Sequence, residues 1–289
     1  MGLGAGDAGT YDAPFAAAIF AAVSDFEIRP LATHAEREAC VELQRETWGR
    51  EFTELVPPSL LYAVQKIGGV VAGAFDTGGR MLGFVFGFTG TERGTLVHWS
   101  DMVAVRAGAQ GRGIGPALKA YQRDMVRRLG VTVMYWTCDP LVSKNAHLNF
   151  NHYGVQVVEY VRDLYGGETH SVLHRGVGTD RFVVAWPLDR RGRPPRPAAA
   201  LRAAPIVNPG TEAGGQSDPE RFAAAPPPAL RIEIPDDIGQ VQAESLDLAG
   251  RWRATTRRAF LWCLSHGYAV AGFTRDPAAG RGHYLLERA

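Results

Sequence analysis

Cysteine is scarce in this chain of 289 residues. The three, Cys40, Cys138 and Cys263, are scattered without CxxC spacing, which argues against a disulfide framework or a cysteine-built zinc site. No metal site is expected, and a reducing cytoplasm is the expected location. Net charge is equally sparse: 31 basic against 30 acidic side chains leave +1, too small a field to predict nucleic-acid or membrane binding. No apolar run reaches the roughly 18–20 residues that would span a bilayer. The run Phe15–Val23 has Asp7 and Asp12 before it instead of a basic region, so a signal peptide is not expected. Gly4-Ala-Gly6-Asp-Ala-Gly9 matches GxGxxG only formally, since no strand precedes it.

What is present is an ordinary soluble composition, 46% apolar and 21% charged, in a chain long enough for a substantial core. After a Gly- and Ala-rich tail, in which a short helix is expected at Phe15–Val23, Phe26–Pro30 reads as a strand. Thr33 then caps a helix from His34 to about Trp48, with Glu36 completing a capping box. Pro57-Pro58 opens a second helix. Two strands, Val70–Phe75 and Met81–Phe88, are joined by Asp76-Thr-Gly-Gly, a hairpin signal. Leu96–Val105 is a third strand. Beyond it lie a helix stopped by Gly130, a strand Val131–Thr137, and a helix from Ser143 to about Tyr153. Strands Val155–Val161 and Phe182–Trp186 complete this unit.

From Arg190 to about Ala229 the composition turns to Pro, Ala, Gly and Arg, and a linker without a packed core is expected. Order returns with strand Arg231–Ile234, helix Asp247–His266 and strands Tyr268–Thr274 and His283–Leu286. The expected organisation is therefore a flexible tail 1–24, a main domain 25–189, a linker 190–229 and a C-terminal α/β subdomain 230–289.

The most informative stretch is Val103-Ala-Val-Arg-Ala-Gly-Ala-Gln-Gly-Arg-Gly-Ile-Gly-Pro-Ala-Leu-Lys119, where a strand ends, three glycines follow and a helix begins. Free backbone amides converge at such a helix start, and the helix dipole favours an anion there, so the stretch predicts a phosphate cradle. Three glycines within five residues cost more chain entropy than a tight turn needs.

The motif Gln110-Gly-Arg-Gly-Ile-Gly115, in this order of elements, resembles the GNAT acyl-CoA N-acyltransferase superfamily over about residues 26–188. The segments His98–Arg106, Trp136–Pro140, Asn145–His147, Asp163–Gly166, Leu173–Asp180, Ile234–Asp236 and Trp252 to Tyr268 resemble one bacterial family of two-part GNAT proteins. Members of that family are mostly regarded as acetyltransferases, and some are linked to N-acylation of amino acids, including with succinyl groups. The resemblance implies an α+β fold: a central mixed twisted sheet flanked by helices, plus the small C-terminal α/β subdomain. It also implies bound acetyl-CoA or another acyl-CoA. The pantetheine arm would pair with the backbone at Val103, Ala104 and Val105, and the pyrophosphate would sit on Gln110, Gly111, Arg112, Gly113, Ile114 and Gly115. Asn145 would touch the cofactor, although alignment on Gly154 puts Ser143 at the usual asparagine position.

For catalysis, Asp101 lies two residues before Val103, so period 2 gives it the facing of Val103 and Val105. It reads as the base that takes the amine's proton through water, as the holder of an ammonium substrate, or as a strand-edge carboxylate in a salt bridge. His98 faces the other way and reads as structural. Asp139 is either a substrate contact or a turn starter. Arg175 and Arg181 lie on a polar loop that would read a substrate carboxylate, or that is plain surface. Arg251, Arg253, Arg257 and Arg258 read as a solvated helix face, or as the source of one arginine for an acidic substrate or another subunit. Phe150 stands where many GNAT enzymes have a tyrosine that protonates the leaving thiolate, and phenylalanine has no proton to give; Tyr153 is expected to point elsewhere. The function expected is direct transfer of a short acyl group from CoA to a small-molecule amine such as an amino acid. The alternative is an inactive acyl-CoA-binding scaffold. Neither nucleic acid nor membrane is an expected partner, and a homodimer is left open.

Overall fold

The computed structural model describes residues 25–166, 171, 177–189, 199–211, 214–215 and 217–288. The short helix expected at Phe15–Val23 lies outside them.

Strand β1 (Phe26–Pro30) leads to α1 (His34–Trp48), whose start carries the expected capping box: Glu36 N–H donates to Thr33 and the Glu36 carboxylate accepts from the Thr33 amide. Helix α2 (Pro58–Lys66) begins on proline, which loses no hydrogen bond at a first turn. Strands β2 (Val70–Asp76), β3 (Met81–Glu92) and β4 (Thr95–Val105) form an antiparallel meander. Helix α3 (Ile114–Arg128) carries the chain across to β5 (Val133–Cys138). Then come α4 (Ser143–Leu148), a π-helical turn (Asn149–Tyr153), β6 (Gln156–Val161) and β7 (Arg181–Pro187).

The seven strands run in the order β1-β2-β3-β4-β5-β7-β6, and only β4 and β5 pair in parallel. Helices cover both faces. Val71, Phe75, Phe84, Phe86, Met102 and Ala104 pack under α1 and α2, and Val70, Ala72 and Val85 under α3. This is the mixed, helix-flanked α+β sheet that the GNAT resemblance implies.

The stretch expected to be an unpacked linker is partly built into the fold. It holds α5 (Ala199–Ala203) and a 3-10 turn (Pro219–Phe222), and Val207 and Asn208 are wholly buried. Its order comes from hydrogen bonds to the next strand, β8 (Ala229–Pro235): Arg231 N–H donates to Pro205 O and Val207 N–H to Arg231 O, both at 2.8 Å. Side-chain periodicity does not show such bonds. After β8 follow α6 (Ile238–Glu244), α7 (Leu246–Ser265), β9 (Tyr268–Asp276) and β10 (Arg281–Arg288), with a second sheet in the order β8-β10-β9.

The C-terminal elements share the core of the main sheet. Phe182 of β7 lies 4.8 Å from the Phe260 ring of α7 and 5.8 Å from Tyr284 of β10, and one apolar cluster runs through all three. Polar ties reinforce it. Arg257 of α7 donates to both Asp180 and Asp163, and the Tyr160 hydroxyl donates to Asp180 at 2.6 Å. The expectation of a solvated arginine face therefore fails for Arg257, because carboxylates of the main domain meet it.

Burial opposes ionisation of Asp180, but Arg257, Tyr160 and the Asp163 amide together hold its carboxyl below the usual range. A depressed carboxyl stabilises the fold above its unfolded value, about 4, and that contribution is lost as the pH falls further. Chemical denaturation at stepped pH checks this: stability should drop below about pH 4, and Asp180→Asn should weaken that dependence.

Candidate active site

Strands β4 and β5 pair over only three residues, Val97, His98 and Trp99 against Val133, Met134 and Tyr135. Beyond Trp99 they part. The β5-facing edge of β4 from Ser100 to Val105 has no strand partner, while its other edge is bonded to β3. A bulge adds to the divergence: Met102 pairs with Phe86 and Ser100 with Gly87, so Asp101 is the extra residue.

The bulge also inverts the alternation along β4. His98 and Ser100 face α3, whereas Met102 and Ala104 lie in the core under α1 and α2. Asp101 accordingly does not share the facing of Val103 and Val105 as strict period 2 predicts. It lies beside the Trp99 side chain and near Glu54. Removal from water, opposed by the Trp99 hydrogen bond and assisted by Glu54, raises its carboxyl above the ordinary range.

The parting opens a cleft of about 960 Å³. Asp101, Val103, Ala104, Val105, Gln110, Gly115, Asp139, Asn145 and Arg181 all line it, so most of the residues singled out from the sequence come together. At its glycine end, Gly111 and Gly113 hold φ of +80° and +78°, and Gly113 is the left-handed N-cap of α3. Those two positions require glycine for the backbone path. At Gly115 a Cβ would meet only Val105 Cγ2, at 3.8 Å, so its lack of a side chain widens the cleft rather than relieving a clash. Gln110 Nε2 donates to Val105 O at 3.3 Å and fastens the loop to the strand end. Arg112 is paired with Asp25 at 3.6 Å. A bare, amide-rich helix start continuous with an unpaired strand edge fits the pyrophosphate and pantetheine arm of a CoA thioester.

Asp139 starts a turn, as one of its two readings has it, and also lines the cleft. Its carboxylate accepts from the Leu141 amide at 2.8 Å, from Arg181 at 3.3 Å and from Arg253 Nη2 at 2.9 and 2.7 Å. Arg253 is 5% exposed and binds the Val177 carbonyl as well, so it is no solvated-face residue. Arg181 lines the cleft while paired with Asp139 and lying over the Tyr165 ring. Arg175 lies outside the described residues.

Ser143, the alignment rival of Asn145, is buried and donates to Asp236 at 3.1 Å, which leaves Asn145 as the residue on the cleft. Phe150 turns away, packing 5.6 Å from Tyr284 and 6.3 Å from Phe182. Contrary to expectation, Tyr153 lines the cleft, because the π-helical turn from Asn149 changes the register. Burial raises its hydroxyl to about 12. Cys138 lines the cleft too, its thiol pushed to about 12 first by burial and then by Asp139.

Several lining residues were not anticipated: Ser100, Lys119, Trp136, Asn149, and Asp237, Ile238, Gly239 and Gln242 around α6. The C-terminal unit thus supplies one wall of the cleft. Behind Ser100 a buried donor chain runs in one direction. Lys119 donates to Ser100 (2.6 Å) and Ser100 to Gln122 (2.8 Å). Gln122 Nε2 meets His98 Nε2 (3.0 Å), His98 Nδ1 meets Thr89 Oγ1 (3.0 Å), and Thr89 donates to the Gly68 carbonyl (2.9 Å). These contacts assign His98 as neutral with its proton on Nδ1, and burial lowers its value to about 3. His98 is buried and bonded on both ring nitrogens, in keeping with a structural role, but the bulge gives it the facing of Val103 and Val105 and not the opposite one. Among the described residues no group of three or more His, Cys, Asp or Glu is placed to hold a metal ion, and no helix is long and apolar enough to cross a membrane.

Comparison with protein-family models gives no match, and comparison with curated proteins gives none. Among solved structures, the chain is similar to the ribosomal-protein-S18-alanine N-acetyltransferase of Escherichia coli at 17% identity, covering 58% of this chain and 96% of that one, with a TM-score of 0.44. It is similar to Naa50 of Arabidopsis thaliana in complex with a bisubstrate analogue at 14% identity, covering 56% and 98%, with a TM-score of 0.44. An aminoglycoside 6′-N-acetyltransferase complexed with coenzyme A matches at 14% identity, covering 57% and 99%, with a TM-score of 0.42.

Removing the Asp139 carboxylate strands the buried Arg253 cation. Asp139→Ala should cost ~3–5 kcal/mol in denaturant unfolding. Because the two units share one core, the loss should come as a shift of a single transition; two separate transitions would contradict the shared core.

Proposed function

We propose that this chain is an acyl-CoA-dependent N-acyltransferase of the GNAT superfamily. It would transfer an acetyl or other short acyl group, such as succinyl, directly to the amine of a small molecule, with an amino acid as the leading candidate. The observation that carries the reading is the continuity of one cleft, from the bare glycine start of α3, along the unpaired edge of β4, to the carboxylate of Asp101.

The amides of residues 111–115 would hold the pyrophosphate, with Gln110 keeping the loop in place and Val103 to Val105 offering main-chain groups to the pantetheine arm. The bound thioester supplies the activated acyl carbon. Asp101, at the bulge, would receive the proton that the amine gives up, directly or through water. A carboxyl raised above its ordinary range is better matched to that task near neutral pH. Asn145 would touch the cofactor, and Arg181 with Tyr165 would border the acceptor. The α6 wall and the buried Asp139–Arg253 tie narrow the space left for an acceptor, which supports a small molecule rather than a broad protein surface. The protonated Cys138 thiol supports direct transfer with no covalent enzyme intermediate. The cytoplasm is the proposed location.

Thiol release from acetyl-CoA and succinyl-CoA across a panel of amines tests the reading. Turnover with at least one small amine is expected; measurable CoA binding with no turnover for any donor would leave only the scaffold alternative. Gly113→Glu puts a carboxylate and a left-handed non-glycine residue into the cradle, and should weaken CoA binding at least ~100-fold in calorimetry. Asp101→Asn should lower kcat by ~10²–10⁴ with CoA affinity kept, and the acidic limb of the wild-type kcat/KM profile should lie above about pH 4. Cys138→Ala should keep kcat within about threefold, since a protonated buried thiol is no nucleophile.

A further inference from the structure

Acyl transfer from a thioester creates a thiolate as well as an amide, and the sulfur needs a proton. The position that supplies it in many GNAT enzymes is Phe150 here, with its ring in the core beside Tyr284 and Phe182. One cation in the cleft has no assigned task.

Lys119 lies on the stripe of α3 that buries Ile114, Leu118, Gln122 and Val126. Its ammonium donates to Ser100 Oγ at 2.6 Å and lies 3.9 Å from the centroid of the Trp136 ring. Ser100 belongs to β4 and Trp136 to β5, each the first residue beyond the last paired positions, Trp99 and Tyr135. The ammonium therefore sits where the two strands part, at the closed end of the splay, and Lys119 lines the cleft.

The surroundings are unusual for a lysine. The residue is 6% exposed, and among the described residues it has no carboxylate partner. A buried cation without a counter-ion costs several kcal/mol, a cost offset when an anion arrives beside it. The hydrogen-bond chain behind it is no sink for its proton: it ends on the Gly68 carbonyl, which is not a base, and burial keeps its one imidazole, His98, neutral. The open direction is the cleft.

We propose that Lys119 is the acid that protonates the departing CoA sulfur, an assignment that rests on the N-acyltransferase reading above. In the step, the amine nitrogen bonds to the thioester carbonyl carbon and the C–S bond breaks, its electron pair passing to sulfur. The Lys119 ammonium gives one proton to that sulfur and becomes a neutral amine, which regains a proton from water once the products leave. The surplus proton on the acceptor nitrogen goes to Asp101, on the other side of the bulge. Acid and base thus stand on opposite faces of β4.

Titration supports the assignment. The titratable and charged groups that line the cleft with Lys119 are Glu54, Asp101, Cys138, Asp139, Tyr153, Tyr165, Arg181 and Asp237, and His98 lies behind Ser100. His98 stays neutral, and Cys138 and Tyr153 stay protonated, near neutral pH. Burial lowers Lys119 to about 7, opposed only weakly by Cys138, so its proton is the one that becomes easy to give in that range. The acid must be protonated to act, so kcat should fall as the pH rises through about 7.

The test compares the wild type, Lys119→Met and Lys119→Arg with two donors, acetyl-CoA and the acetyl thioester of an aromatic thiol, using the best amine of the panel. With acetyl-CoA, Lys119→Met should lose ~10²–10⁴ in kcat, bind CoA within about threefold of wild type, and lack the alkaline decline near neutrality. With the aromatic thioester, whose sulfur leaves unaided, the ratio of wild type to variant should shrink below about tenfold; a residue that only props the fold would affect both donors alike. Should Lys119→Met fail to fold, Lys119→Arg, charged but too weak an acid, is judged by the same donor comparison. Equal losses with both donors, or kcat kept within about threefold, would overturn the Lys119 assignment. A wild type silent with every donor would overturn the N-acyltransferase reading itself, and the assignment with it.

Discussion

The early parting of β4 and β5 is the constraint on which the rest depends. A parallel pair of ordinary length would bury both strand edges in hydrogen bonds and leave no cleft. Here the ladder stops after Trp99 and Tyr135, and the Asp101 bulge turns β4 away. β3 holds one side of β4 and β7 one side of β5, so the unpaired edge between them is stable without closing. The separation creates a backbone edge, places the start of α3 at one end and a carboxylate on the bulge, and leaves the lower end to a buried lysine. Because the bulge inverts the alternation, consecutive stretches of one strand serve two faces: His98 and Ser100 toward α3, Met102 and Ala104 toward α1.

The C-terminal unit matters because of where it grips. Arg253 reaches Asp139 at the end of β5, and Arg257 reaches Asp180 just before β7, so α7 clamps the two strands that form the far wall. The aromatic contacts of Phe182, Phe260 and Tyr284 supply the apolar counterpart. A second sheet packed this way is a brace for the cleft as much as a unit of its own, and α6 completes the cleft's lining.

Local features were the legible ones. The Thr33–Glu36 capping box, the Asp76 hairpin and the glycine start of α3 are written within a few residues of chain, and each stands where its chemistry predicts. What escaped depends on distance or facing. Asp139 and Arg253 are 114 positions apart, and nothing in helical periodicity distinguishes a solvated arginine from one that meets a carboxylate of another unit. Lys119 and Gln122 carried one overlooked signal: they are polar residues on the buried stripe of α3, matched by His98 and Ser100 on the facing strand. Read together, polar residues on both sides of a buried contact predict an internal hydrogen-bond chain. The segment from 199 to 211 escaped because backbone bonds to β8 order it, and Pro- and Ala-rich composition does not reveal them.

The central claim is that the splay of β4 and β5 is an acyl-CoA site. A crystal structure of the protein with acetyl-CoA tests it most directly. The account predicts the pyrophosphate on the amides of residues 111–115, the pantetheine arm along Val103 to Val105, and the thioester sulfur within hydrogen-bond reach of Lys119. Acetyl-CoA bound elsewhere, or β4 and β5 paired along their full length in the crystal, would contradict it.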